Sequence, residues 1–128
     1  MIIAGGRDFT NYSVLKQTMD ELLSELIEEG EEIVIISGKA RGADKLGERY
    51  AEERGFDVDP YPADWKRQAD GSYDKSAGYK RNAEMADNAD ACVCYWNGSK
   101  GTGHMIDLAK KRGLALVVLD YDGLEISS

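Results

Sequence analysis

Three glycine-bearing segments carry the residue types that could do chemistry. They read Ala4-Gly5-Gly6-Arg7-Asp8, Ser37-Gly38-Lys39-Ala40-Arg41-Gly42-Ala43-Asp44 and Asn97-Gly98-Ser99-Lys100-Gly101-Thr102-Gly103-His104. Each sets a basic residue beside glycines, where an apolar run stops and a helical pattern starts. Such a junction offers bare backbone N–H groups and the positive end of a helix, which suits a phosphate or another small anion. Arg7, Lys39, Arg41 and Lys100 would supply charge, and Gly5, Gly6, Gly38, Gly42, Gly98, Gly101 and Gly103 would let backbone approach the ligand. Thr102 reads either as the N-cap of the following helix or as a phosphate-binding hydroxyl. Asp44, in a first helical turn, could offset the helix dipole or accept from ribose hydroxyls. Neither G-x-G-x-x-G nor a Walker A loop is present.

The elements between these segments must place them together. Ile2-Ile3-Ala4 opens a short buried strand. Val14, Leu15, Met19, Leu22, Leu23, Leu26 and Ile27 recur at helical spacing, predicting a helix over 13–29 with Ser13 as N-cap and Gly30 as its stop. The β-branched run within 32–37 fits a strand buried on both faces. Further helices are expected at 42–54, 78–88 and 102–112, and further strands at 56–61, 91–96 and 114–119. An irregular stretch spans 62–77, and the chain after Asp120 reads as frayed. The order β-α-β-α-β-α-β-α-β predicts an α/β fold, a Rossmann-like three-layer sandwich with a five-stranded parallel sheet in the order 3-2-1-4-5. Strands one and four are then neighbours at the switch point, where open α/β sheets bind ligands. Arg81 and Asn82 start the third helix on the same edge and join the candidate site, and Trp65, Tyr79 and Trp96 lie near enough to stack on a base.

Composition narrows the function classes. The 128 residues are 42% hydrophobic and 31% charged, with a net charge of −8. That is ordinary for a soluble domain with a core of its own. The acid concentrates in Glu25, Glu28, Glu29, Glu31 and Glu32, a solvated face. An acidic chain without a basic stripe argues against nucleic acid as a partner, so an anion site must be a local basic spot. No run approaches a membrane span, and the N-terminus lacks the pattern of a signal peptide, so a cytoplasmic location is the default expectation. Cys92 and Cys94 read as buried reduced thiols. No Cys/His spacing suits zinc, and no metal or cofactor is expected.

Five segments occur in this order: Ala4-Gly5-Gly6-Arg7-Asp8-Phe9, Ala40-Arg41-Gly42-Ala43-Asp44, Pro62-Ala63-Asp64-Trp65, Arg81-Asn82-x-Glu84-Met85 and Gly101-Thr102-x-His104-Met105-Ile106-Asp107. Together they resemble the YspA-like branch of the SLOG superfamily, which is related to the Lonely guy proteins and to DprA. The resemblance covers nearly the whole chain. It implies one Rossmann-like domain over 1–128 that binds a nucleotide or a nucleotide-derived small molecule such as an ADP-ribose-like signal, as sensor, carrier or sequestering protein. The related families often pair through helices, so a homo-oligomer is open, although no face identifies the contact. Lonely guy proteins carry Pro-Gly-Gly-x-Gly-Thr-x-x-Glu after the fourth strand, with the glutamate tied to phosphoribohydrolase chemistry. Met105 stands in that place here, and a thioether is neither acid nor base. A hydrolase reading would need Glu84, Asp44 or His104 instead, and a DprA-like single-strand binder would need a basic stripe. The branch also leads one to expect glycine where Lys39 stands.

Overall fold

The computed structural model describes residues 1–63 and 77–126. The stretch 64–76, which includes Asp64, Trp65 and most of the expected irregular segment, lies outside the described residues. Five strands and four helices alternate: β1 (Ile2–Gly5), α1 (Tyr12–Glu28), β2 (Val34–Ser37), α2 (Ala43–Arg54), β3 (Asp57–Pro60), α3 (Ala77–Asp87), β4 (Ala91–Tyr95), α4 (Lys100–Arg112) and β5 (Ala115–Leu119). All pairings are parallel, in the order β3-β2-β1-β4-β5. This is the Rossmann-like α/β architecture that the alternation implies.

The period-2 geometry of strands divides the core into two layers. Ile3, Ile35, Val93 and Tyr95 point to one face, where Leu15, Met19 and Leu23 of α1 and Tyr50 and Ala51 of α2 pack on them. Ile2, Ala4, Ile36, Cys92 and Cys94 point to the other, against Met85 of α3 and Met105, Ile106 and Ala109 of α4. The Cys92 and Cys94 thiols are free, buried and 3.5 Å apart on that second face. No helix among the described residues is long and apolar enough to cross a membrane.

Four local readings need correction. Asn11, not Ser13, caps α1: its Oδ1 accepts the Val14 N–H at 3.2 Å. Leu22, Leu26 and Ile27 are about two-fifths exposed, because α1 covers one side of the sheet with an arc narrower than its apolar stripe. Helix α4 starts two residues before Thr102, which makes Ser99 the N-cap and puts Thr102, 5% exposed, inside the first turn. The chain after Asp120 is ordered through Ile126. There the Asp120 carboxylate accepts the N–H groups of Asp122 and Leu124, and Ile126 returns to donate to the Val118 carbonyl.

Candidate functional site

Strands β1 and β4 lie side by side and hand their connections to opposite halves of the sheet, so a crevice opens past their carboxyl ends. A cavity of about 430 Å³ occupies it. Gly5, Gly6, Arg7 and Asp8 line it from the first junction, Ala40 and Asp44 from the second, and Ser99, Gly101 and Thr102 from the third. Arg81 and Asn82 complete the wall from α3. All three junctions thus meet in one space, but their glycines do different work.

The first two junctions are pressed together. A Cβ on Gly5 would fall 2.6 Å from the Tyr95 carbonyl, and one on Gly6 1.9 Å from the Tyr121 hydroxyl. The Gly6 N–H is already spent on the Tyr95 carbonyl at 3.2 Å. Gly42 has φ +78 and ψ −128, and a Cβ there would stand 2.2 Å from the Gly6 carbonyl oxygen. The Ala43 N–H, first of α2, donates to that same carbonyl at 3.4 Å, and the Ala40 N–H goes to Asp44 Oδ2 at 3.1 Å. These glycines allow backbone to cross backbone.

The third junction is open. Ser99 caps α4 in extended backbone without a side-chain cap, and no acid stands in the first turn. The N–H groups of Lys100, Gly101 and Thr102 have no acceptor among the described residues. A Cβ on Gly101 would meet nothing within 4 Å. The Ser99 hydroxyl oxygen is buried without a partner among the described residues, a costly state for a polar atom. Ser99 was missed in the sequence; its one signal is a cap-forming residue type just before the helix.

The charged side chains converge from α2 and α3. Arg81 donates through Nη1 to the Gly38 carbonyl and through Nε to Asn82 Oδ1 at 2.9 Å, which uses two of its five donors. Asn82, nearly buried, faces the Gly101 carbonyl and His104 Nδ1 through its Nδ2. Burial pushes the Asp44 carboxyl from 3.8 up to about 6, against the opposing pull of the Ala40 N–H and the Arg81 charge. Burial also lowers Arg81 from its ordinary value; Asp44 opposes this and Arg7 adds to it. Asp8 holds the Tyr121 hydroxyl and the Asn97 amide, which keep its carboxyl below the usual range. Nothing in the sequence pointed to Tyr121, 113 positions away.

The remaining expected residues stand outside this cavity. Gly98, Lys100, Gly103 and His104 line a neighbouring space of about 560 Å³ on the far side of the α4 start, together with Tyr79, Trp96 and Ser99. His104 meets the Tyr79 ring edge-on at 4.7 Å, and burial lowers its pKa. Gly38, Lys39 and Arg41 line a third space of about 310 Å³. Lys39 adopts φ +63, the left-handed region that favours glycine, and its ammonium lies 2.8 Å from Glu48. Glu84 is exposed on α3, one turn past Arg81, and lines none of these three cavities. Met105, where the related hydrolases carry glutamate, is buried and forms part of the 430 Å³ wall.

An open parallel sheet with a ligand-sized crevice at its switch point defines a Rossmann-like α/β protein. The chain belongs to the YAcAr family, the YspA, cpYpsA-related SLOG family, whose model matches residues 1–68. It is 33% identical over 124 residues to the Gene 61 protein of Mycobacterium phage D29, covering 91% of this chain and 93% of that one. Among solved structures it is similar in fold to MurG of Acinetobacter baumannii, with a TM-score of 0.54 at 8% identity. That likeness covers 93% of this chain and 34% of MurG, so the chain spans about a third of that protein's length.

Proposed function

We propose that this protein binds a nucleotide or nucleotide-derived ligand, seating a phosphate at the start of α4. The carrying observation is the first turn of α4, which has no side-chain cap and whose first N–H groups have no acceptor among the described residues, beside a cavity that Arg7, Arg81 and Asn82 also line. At about 430 Å³ the cavity is of small-molecule size. Membership of the SLOG family agrees with a nucleotide-related ligand. Sensing, carrying or sequestering such a signal needs no further chemistry. Titration calorimetry with AMP, ADP-ribose and cyclic ADP-ribose tests the reading. At least one should bind the folded wild-type protein and lose its heat in Gly101→Asp, which puts a carboxylate at the mouth of the cradle. Silence across the panel would count against the reading.

A second reading, nucleotide hydrolysis, is favoured by Asp44 alone. It is a buried carboxylate on the cavity wall, and its pKa near 6 suits proton transfer at neutral pH. Recovery of the bound nucleotide intact after long incubation would remove this reading for that substrate.

A further inference from the structure

The 430 Å³ cavity continues into the 310 Å³ space at the carboxyl end of β2: Arg7, Ala40 and Arg81 line both. Among the described residues, the ionisable side chains lining the second space are those of Arg7, Lys39, Arg41 and Arg81, and no carboxylate lines it. This concentration of positive charge stands on a chain of net charge −8. Neighbouring acids neutralise only part of it. Glu48 takes the Lys39 ammonium and the Ser37 hydroxyl, and Asp44 lies within Coulombic reach of Arg81. Arg7 and Arg41 are exposed and have no hydrogen-bond or ion-pair partner among the described residues. Like charges gathered this way repel one another, and the fold gains nothing visible from the arrangement. Arg81 ties the two spaces together, and among the described residues its bonds to Gly38 and Asn82 leave three of its donors unused.

The position is informative in itself. At the end of the second strand of dinucleotide-binding sheets, an acid takes the ribose hydroxyls, or an arginine accommodates a ribose phosphate. Here, among the described residues, the cations outnumber the acids, and Glu48 and Asp44 already have partners.

We infer that the space at the end of β2 is a second anion subsite, and that the ligand is a nucleotide carrying two phosphate groups. One phosphate sits at the start of α4 and the other among Arg7, Lys39, Arg41 and Arg81. This rests on the reading of the α4 cradle given above. The second phosphate can come from a diphosphate chain or from a separate ribose phosphate, and the probes distinguish these sources.

The test measures the affinities of AMP, ADP and adenosine 3′,5′-bisphosphate for the wild-type protein and for the double variant Lys39→Gly/Arg41→Gln. Glycine suits the φ +63 backbone at position 39, and Arg41 is exposed without partners among the described residues, so the variant keeps its fold, which circular dichroism checks. Either ADP or the bisphosphate should bind the wild-type protein about tenfold more tightly than AMP, and the double variant should lose most of that gain. Whichever probe gains identifies the spacing of the two phosphates. Equal affinity of all three probes, or a gain that survives in the double variant, overturns the second subsite and leaves the α4 cradle standing. If none of the three binds, the two-phosphate reading falls, and the ADP-ribose titrations above decide whether the α4 cradle stands.

Discussion

The starts of α2 and α4 look alike in sequence and behave differently in the structure. Both follow a parallel strand, both pair glycines with a basic residue, and neither has a side-chain cap. At α2 the space is filled from within. Gly42 lies against the Gly6–Arg7 backbone, Ala43 donates to Gly6, and Asp44 puts a carboxylate in the first turn. At α4 the same kind of turn is empty of acid and backbone alike, and a side chain at Gly101 would point into open space. A glycine-rich helix start is therefore a joint or a cradle according to what else crosses it. The crossing chain is remote in sequence, so the motif alone does not decide.

The sharpest break of the comparison comes from one substitution at each start. Gly42→Ala forces a side chain into a conformation that glycine alone tolerates and into the Gly6 carbonyl, which should cost about 3 kcal/mol or more and leave little folded protein in a chemical denaturation series. Gly101→Ala has space and a helical backbone, so stability should hold or rise by up to about 1 kcal/mol while phosphate-ligand affinity falls. Equal losses at the two sites would erase the distinction.

Asp44 supplies the next effect. Its carboxyl is raised in the folded state, so folding loses stability as pH climbs from about 4 through about 6, and the loss is complete above that. Asp44→Asn keeps an acceptor for the Ala40 N–H and removes the buried charge. Its thermal midpoint should exceed that of the wild type at pH 7.5, by a stability difference of order 1–3 kcal/mol, and the gap should close near pH 4. A gap unchanged with pH would mean that the carboxylate is not carrying this burden.

The smallest effect is at Ser99. Ser99→Ala removes a buried hydroxyl that has no partner among the described residues, so stability should hold or rise, by up to about 1 kcal/mol. Affinity for a phosphate-bearing probe should drop measurably in the same titration. If affinity holds, the hydroxyl does not serve the cradle.

The fold was legible because it rests on short-range pattern. The β-branched run Ile33–Ile36 and the glycines that end α2 and α4 announce buried parallel strands and helix stops. The meeting of the junctions followed from chain order. What escaped depended on distant partners. Helical periodicity could not show that Leu22, Leu26 and Ile27 lie beyond the reach of the sheet, since apolar spacing does not reveal how wide an arc is covered. Thr102 and Ser99 are both good cap residues, and only the closing of the first turn at Lys100 separates them. The φ of Lys39 is a property of the β2–α2 connection, and its sole trace in the sequence is a lysine where the family leads one to expect glycine.

The Tyr121–Asp8 contact has a consequence for how this chain is made. Gly6 and Asp8 are among the early residues of the cavity to leave the ribosome, yet Tyr121, which stands over them, arrives 113 residues after Asp8. At ordinary translation speeds that interval is roughly 6–20 s. Throughout most of it the central strand β1 also lacks β4, its neighbour across the crevice. A nascent chain therefore keeps one side of β1 unpaired until β4 has emerged, and the ligand can find a finished crevice only on a chain from which β5 and the turn after it have also emerged.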